Sequence, residues 1–190
     1  MLFFVYMKKF ILVINGPICS GKSTVSELLL KKIPNSFRIS MDKIKWFIGN
    51  YSKDKHRKVA YRLTLELARN ALREGFSLIV DGSGRFDKNS NSDYKKLAKE
   101  CKISYIEINI EAPIIILIKR FKERVARAKA VNSNISCTTV KKMKEFYNGY
   151  LEYKDNDLIT LDSGLNSPEQ ISNIIIKLIY PKQKNRAKVF

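Results

Sequence analysis

The stretch Phe10–Lys32 reads FILVINGPICSGKSTVSELLLKK and joins an apolar run, a glycine loop and a helix-like segment. Within it, Gly16–Ser23 matches the pattern GxxxxGK[ST] at every fixed position. Glycines allow backbone N–H groups to curl around phosphate oxygens, and the N-terminus of the following helix adds the positive end of its dipole. The stretch therefore predicts a strand, a phosphate-binding loop and a helix; a glycine turn without function does not account for this context.

The side chains of the loop have separate predicted roles toward a triphosphate. Lys22 can reach the β- and γ-phosphates, the Ser23 hydroxyl can ligate Mg²⁺, and Thr24 adds a hydroxyl near the α-phosphate. Cys19 is predicted to be a small spacer rather than a redox switch. The full predicted nucleotide-binding set is Gly16, Pro17, Ile18, Cys19, Ser20, Gly21, Lys22, Ser23 and Thr24.

The chain carries 36 Lys and Arg residues against 18 Asp and Glu residues, a formal net charge of +18. Such an excess fits a polyanionic partner, either nucleic acid or phosphorylated substrates, although a compositional bias toward Lys, Ile and Asn would also produce it. The three cysteines form no CxxC pair, which predicts a reducing, cytoplasmic setting without a disulfide framework or a zinc site. The single histidine, His56, lies in a charged run, and we expect no catalytic or metal-binding role for it.

The N-terminal segment MLFFVYMKKFILVI is predicted to lead into the first strand. Lys8 and Lys9 interrupt its apolar run, and no small-residue cleavage site precedes the glycine loop, so we expect no signal peptide. No uninterrupted apolar run reaches membrane-spanning length, and we expect no membrane partner. Met7 is a second candidate for the native start, because MKKFILVINGP is a complete opening of strand and loop.

Strand-like apolar runs alternate along the chain with amphipathic helical stretches, which predicts a parallel sheet covered by helices. The predicted strands are Phe10–Asn15, Phe37–Ser40, Phe76–Asp81, Ile103–Ile110 and Leu158–Asp162. We expect one α/β domain over residues 1–180, followed by a basic tail over residues 181–190.

The longest predicted helix spans about Asp54–Glu74 and is followed by Gly75, a residue that commonly ends helices. Its apolar i, i+4 row consists of Val59, Leu63, Leu67 and Ala71. The last helix begins with a capping-box pattern made of Ser167, Pro168 and Gln170. The other predicted helices cover about residues 22–32, 42–48, 92–99, 113–127 and 138–153.

Two aspartates follow predicted strands at the sheet edge where ligands of parallel sheets bind. Asp81 ends the third strand in SLIVDGSGR and is predicted to hold Mg²⁺, directly or through water. Asp42 follows the second strand in RISMDKIKWF. There it either accepts a hydrogen bond from an acceptor hydroxyl and orients it for attack, or caps the short helix.

Basic and aromatic side chains accompany these aspartates. Arg85 follows Asp81 in a glycine-containing loop and Lys45 lies one helical turn after Asp42. Both are predicted to clamp an acceptor phosphate. Trp46 and Phe47 could stack on an acceptor ring, but for at least one of them the sequence favours core packing.

The segment LIKRFKERVARAKA places Arg120, Arg124 and Arg127 on one face of a predicted helix, and its one acidic residue is Glu123. A guanidinium that reaches the γ-phosphate would neutralise charge that develops during transfer. The alternative is a surface helix that binds nothing or coats nucleic acid.

Together, the loop, Asp42, Asp81 and the arginine helix resemble the P-loop kinases of the adenylate-kinase-like group. The resemblance covers residues 10–179 and is closest to the small AAA-type ATP-binding kinases, which include polynucleotide 5′-kinase domains, zeta toxins and antibiotic phosphotransferases. It implies the three-layer α/β sandwich of the P-loop NTPases, with a five-stranded parallel sheet in the order 2-3-1-4-5. It also implies ATP as the donor and a helical lid over about residues 118–136.

The resemblance further implies roles for individual residues. Asp42 would be the acceptor-side base, Lys45 would contact the acceptor, and Arg120 or Arg124 would contact the transferred phosphate. DGSGR is similar to the DGxPR stretch of nucleoside monophosphate kinases, whose acceptor-binding arginine maps to Arg85, but it lacks the proline. The STGD stretch of adenylate kinases is replaced by ISMD, which weakens a monophosphate-kinase interpretation.

These features predict an ATP- and Mg²⁺-dependent kinase whose acceptor is a nucleotide, a nucleic-acid 5′-end or a small-molecule hydroxyl. A nucleoside monophosphate kinase is one alternative. Another is an NTP-sensing or nucleic-acid-binding module with incidental ATPase activity. The basic composition favours nucleotide or nucleic-acid acceptors over sugars and antibiotics.

Overall fold

A parallel β-sheet forms the centre of the protein. The computed structural model describes residues 8–82, 91–131, 135 and 137–181. Its strands are β1 Phe10–Asn15, β2 Ser36–Ile39, β3 Ser77–Asp81, β4 Ser104–Glu111 and β5 Ile159–Asp162. They pair in the order β2-β3-β1-β4-β5, and all four pairings are parallel. The predicted fold class and strand order are therefore confirmed, and each predicted strand boundary lies within one residue of the observed one.

The helices of the described residues follow the strands in alternation. They are α1 Lys22–Lys32, α2 Met41–Ile44, α3 Lys53–Arg73, α4 Ser92–Glu100, α5 Ile114–Ala130, α6 Val140–Tyr153 and α7 Pro168–Ile179. The short helix predicted after β2 is divided into α2 and a 3-10 turn, Lys45–Phe47. Ser167 and Gln170 form the predicted capping box at the start of α7. Gly75, with a φ of +96°, ends α3 as expected.

The central strand β1 is covered on both faces, because its side chains alternate between two layers of helices. On one face, Phe10, Leu12 and Ile14 pack with buried residues of α1 and α7. On the other face, Ile11 and Val13 pack with buried residues of α3 and α4. Two hydrophobic cores thus enclose one sheet, which gives the three-layer sandwich.

The buried face of α3 differs from the apolar row in the sequence. Leu63 and Leu67 are exposed. The residues that α3 buries are Ala60, Thr64, Ala68, Ala71 and Leu72. Small side chains let the helix lie close to the sheet, whose strands supply the bulk of the core. The apolar row thus indicated a helix, but of its four residues Ala71 is buried whereas Leu63 and Leu67 are not.

Helices α5 and α6 pack beside the phosphate loop. Leu117 and Phe121 of α5 and Met143 of α6 are buried in one cluster, and Ile18 and Cys19 of the loop pack against it. The predicted lid begins inside α5 and includes positions outside the described residues, so the lid stays a prediction. In the described parts of the chain, no helix is both long and apolar enough to cross a membrane.

Candidate active site

The phosphate loop leaves β1 through a glycine for which no larger residue has room. Gly16 has a φ of +144°, and a Cβ atom there would lie 2.0 Å from the backbone oxygen of Ile110. Gly21 has a φ of +94°, and nothing lies within 4 Å of the position that its Cβ would take. Cys19 adopts a φ of +64° without being a glycine. The loop therefore bends tightly against β4 at one end and is open at the end where α1 begins.

The start of α1 presents a set of positive donors at this open end. Gly21 is the N-cap residue, no side chain caps the helix, and its first turn has no acidic residue. The N–H groups of that turn are therefore available to an anion, as in other helix N-termini. Lys22 Nζ donates to the backbone oxygens of Gly16 (2.8 Å) and Pro17 (2.7 Å), and the Ser23 and Thr24 side chains are exposed beside it. This donor set fits the phosphates of a nucleoside triphosphate.

Charged groups from three other elements converge on Lys22. Burial lowers the pKa of its ammonium, and the carboxylates of Asp81 and Asp42 oppose that shift by stabilising the charged form. The charge of Arg124 acts in the same direction as burial. The structure thus brings predicted residues from β3, α2 and α5 around the loop lysine.

Asp81 lies at the end of β3, where it is 2% exposed and bound to a buried arginine. Arg38 of β2 donates through Nη2 to Asp81 Oδ2 (2.6 Å) and through Nη1 to Glu27 Oε1 on α1 (2.8 Å). Burial alone would lower the pKa of the Arg38 guanidinium, but the hydrogen bond and charge of Asp81, with those of Glu27, raise it. Arg38 therefore fixes the direction of the Asp81 carboxylate.

Asp42 is the second residue of α2, and it does not cap that helix. The N-cap is Ser40, and no side chain makes a cap hydrogen bond there, so the capping alternative for Asp42 is wrong. Its carboxylate instead accepts from Lys45 Nζ at 2.6 Å and is largely exposed. A Cβ at Gly82 would lie 3.5 Å from Asp42 Oδ2, which places Asp42 beside the end of β3. The two predicted aspartates therefore share one sheet edge.

Trp46 and Phe47 follow Lys45 in the 3-10 turn and are not core residues. Trp46 is 53% exposed and Phe47 is 83% exposed. The Lys45 ammonium lies 5.4 Å from the centre of the Trp46 ring, a cation–π distance. The core-packing alternative is therefore wrong for both rings. Arg85, the other predicted acceptor-binding residue, lies outside the described residues.

The three predicted arginines of α5 have different environments. Arg120 is tied to the loop after β5, because its Nη1 donates to Ser163 Oγ (2.9 Å) and its Nη2 to the Ser163 backbone oxygen (2.7 Å). Arg124 and Arg127 are exposed, and the charge of Arg124 reaches Lys22. Arg124 is thus the better placed of the two predicted lid arginines, and Arg120 anchors the helix on which it lies.

Sequence reasoning missed two sets of polar residues behind the site. One is Arg38 with Glu27. The other lies under the loop, where Glu107 Oε1 accepts from Asn15 Nδ2 (2.7 Å) and from Asn91 Nδ2 (2.5 Å). Both sets have a signal in the sequence, a charged residue inside an otherwise apolar strand run, in SFRIS for Arg38 and in SYIEINIE for Glu107. Because such a residue must be paired when it is buried, it predicts a partner but does not say which one.

A family model described as an AAA domain matches residues 11–149, which is more than half of the chain. The chain belongs to this AAA domain family. The match extends from β1 into α6 and so includes the phosphate loop, both aspartates and the arginine helix.

A curated relative of this AAA domain is L-seryl-tRNA(Sec) kinase from Methanococcus maripaludis, which is 28% identical over 118 residues. The alignment covers 60% of this chain and 46% of the relative, so the chain spans about half the length of that protein.

Two solved structures share the fold of this AAA domain. One is Mycobacterium tuberculosis APS kinase in complex with AMPPNP and APS, with a TM-score of 0.64 and 17% identity, over 90% of this chain and 98% of that one. The other is the Deinococcus radiodurans tunicamycin resistance protein, with a TM-score of 0.62 and 18% identity, over 91% and 96% of the two chains. The resemblance to small P-loop kinases is confirmed.

Proposed function

We propose that the protein transfers the γ-phosphate of ATP to a hydroxyl group of a nucleotide or nucleic-acid acceptor that lies beside Asp42. The observation that carries this proposal is the position of the Asp42 carboxylate. It is exposed, it does not cap its helix, and it lies at the sheet edge that holds the phosphate loop. A carboxylate whose only role was to stabilise the fold would not need to be exposed at this sheet edge.

Asp42 is the proposed base of the transfer. The acceptor oxygen forms a bond to the γ-phosphorus and gives its proton to Asp42, while the bond from phosphorus to the β–γ bridging oxygen breaks and ADP leaves with that electron pair. Lys45, 2.6 Å from Asp42 Oδ1, holds the carboxylate in place and supplies positive charge on the acceptor side. No histidine is needed, and His56 has a structural role, because its Nδ1 accepts from the Ser52 backbone N–H at 2.9 Å.

The donor side is assigned to the phosphate loop, residues 16–24, with Lys22 on the β- and γ-phosphates. Ser23 and Asp81 are the residues that would hold Mg²⁺, which neutralises charge on the phosphate oxygens when it is bound. In the described residues no group of three or more His, Cys, Asp or Glu side chains could bind a metal, so phosphate oxygens of ATP would complete the coordination. Because Arg38 binds Oδ2 of Asp81, the cation would share this carboxylate with Arg38.

Arg124 is the proposed stabiliser of the transferring group. Its charge already reaches Lys22, whereas Arg120 is bound to Ser163. A guanidinium near the γ-phosphate neutralises charge on the phosphoryl oxygens as the bond to ADP breaks.

The relative named L-seryl-tRNA(Sec) kinase acts, as its name states, on a group carried by tRNA, and this favours an acceptor attached to nucleic acid.

The test is to assay a panel of hydroxyl acceptors with labelled ATP and then to compare Asp42→Asn with Asp54→Asn. We expect Asp42→Asn to lower kcat by about 10²–10⁴-fold, because the general base is lost, with the Kd for ATP unchanged. Asp54 is an exposed aspartate of α3, and its replacement should leave kcat unchanged.

An unchanged kcat in Asp42→Asn would contradict the assignment of the base. ATP binding without transfer to any acceptor of the panel would contradict the kinase itself and would favour a nucleotide-binding module.

A further inference from the structure

Trp46 and Phe47, here called the aromatic turn, are both exposed to solvent, and the hydrophobic core does not need either ring. Phe47 is 83% exposed, so its ring contributes almost nothing to the hydrophobic core. Two neighbouring exposed rings beside a candidate catalytic carboxylate are typical of an interaction surface rather than of chance exposure. Lys45 links them to that carboxylate, since its Nζ lies 2.6 Å from Asp42 Oδ1 and 5.4 Å from the centre of the Trp46 ring.

The segments next to the aromatic turn are rich in basic residues. Between Lys43 and Arg62 the chain has one acidic residue, Asp54. The basic residues of the same segment are Lys43, Lys45, Lys53, Lys55, Arg57, Lys58 and Arg62. Most of them lie in the first half of α3, which packs against α2 and the 3-10 turn. The exposed members of this set are Lys43, Lys53, Lys55, Lys58 and Arg62. The surface of α2 and the first half of α3, here called the cationic face, therefore carries more positive charge than one phosphate group would need.

Exposed rings within a cationic face favour one class of ligand. Bases of single-stranded nucleic acid stack on aromatic side chains, while basic residues bind the phosphates along the strand. A duplex does not offer this contact, because its bases already stack on one another. A sugar or a small antibiotic would not need a cationic face of this length.

We propose that Trp46 and Phe47 are a stacking platform for the terminal bases of a single-stranded nucleic acid, and that α3 holds its phosphates. The platform places the terminal sugar hydroxyl next to Asp42. This inference rests on the proposed phosphotransfer but names its acceptor class more narrowly, as the end of a single strand.

Trp46 is the one tryptophan of the chain, so the intrinsic tryptophan fluorescence of the protein reports on this ring alone. The experiment titrates the full chain, saturated with ADP and Mg²⁺ to occupy the donor site, with single-stranded RNA of about eight nucleotides at low ionic strength. We expect quenching of Trp46 fluorescence. An abasic ribose-phosphate oligomer of the same length should bind through its charge without quenching.

Phe47→Ala should weaken RNA binding by about 10- to 100-fold, which is the loss of one stacked base. The matched control is Leu165→Ala, because Leu165 is 84% exposed but follows β5, at the opposite edge of the sheet from β2. It should leave the Kd unchanged. Because both positions are exposed, both variants should also keep the melting temperature of the wild type.

The absence of quenching by RNA, equal quenching by the abasic oligomer, or equal effects of Phe47→Ala and Leu165→Ala would each overturn the platform. Quenching by a mononucleotide as strong as that by the RNA would overturn the commitment to a nucleic-acid strand. Failure of the platform is distinguishable from failure of the kinase. Transfer to a small hydroxyl acceptor without RNA quenching would remove only the platform, whereas quenching without transfer would remove only the phosphotransfer.

Discussion

The candidate site has a donor end, which would bind ATP, and an acceptor end beside Asp42. Both lie at the same sheet edge, but they are formed by different chemical groups. The donor end is mainly backbone: a glycine loop, a helix N-terminus and carbonyl groups that hold Lys22. The acceptor end is made of side chains on short elements, Asp42 on the four-residue α2 and the rings of the 3-10 turn. The donor end is packed into the fold, whereas the acceptor end faces solvent.

This difference predicts which substitutions will change stability and which will change activity. A backbone cradle depends on φ, ψ and close approach, so changes there should damage the fold together with binding. Exposed side chains contribute little to stability, so changes at the acceptor end should alter activity or specificity alone. Three further variants can break or sharpen this division, beginning with the largest expected effect.

Gly16→Ala should be the most damaging of these changes. A Cβ at Gly16 would lie 2.0 Å from the Ile110 oxygen, and the φ of +144° strains any other residue. We expect the free energy of unfolding to fall by about 5 kcal/mol, from backbone strain and overpacking together, as measured by chemical denaturation. Gly49→Ala is the control, because nothing lies within 4 Å of the Cβ position at Gly49. If the two variants were equally stable, the donor end would not be a rigid cradle.

Arg38→Ala tests the boundary between the two ends, since Arg38 is on β2 but binds Asp81 at the donor side. It leaves the buried Asp81 carboxylate unpaired, and we expect a loss of about 3 kcal/mol in the free energy of unfolding. Arg69→Ala is matched to it, because Arg69 also faces two carboxylates, Glu66 and Glu100, but on the surface. That variant should cost less than about 1 kcal/mol. If both variants lost a similar free energy of unfolding, the ion pair of Arg38 with Asp81 would contribute no more to stability than a surface pair.

Arg124→Ala should act on transfer rather than on the fold. We expect kcat to fall by about 100-fold, equal to about 2.7 kcal/mol, with the melting temperature unchanged, because Arg124 is exposed. Arg120→Ala should show the reverse pattern, since it removes two hydrogen bonds to Ser163, and we expect a stability loss of about 1–3 kcal/mol. Steady-state kinetics and thermal unfolding of both variants check this. If kcat fell more in Arg120→Ala than in Arg124→Ala, Arg120 rather than Arg124 would be the stabiliser of the transferring phosphate.

The sequence predicted well what depends on local pattern. The glycine loop, the end of β3 at Asp81, the place of Asp42 just after β2, and the capping box of α7 each follow from a few adjacent residues. It predicted less well what depends on which elements become neighbours. The pairing of Arg38 with Asp81 joins residues from two strands, and nothing in either strand alone names the partner. The core face of α3 was missed for a similar reason, because small residues such as Ala60 and Ala68 are buried only by closeness to the sheet.

The position of β1 in the sheet has a consequence for synthesis and folding. β1 is synthesised before both of its neighbours, β3 and β4, with Ile11 opposite Leu78 and Phe10 opposite Ser104. Its apolar side chains therefore have no strand to pair with until α1, α2 and α3 have been made. Parallel pairing over such distances makes folding slow and leaves the strand open to aggregation in the meantime. The strand that leads into the phosphate loop is thus a segment of the nascent chain that needs protection until β3 and β4 have been made.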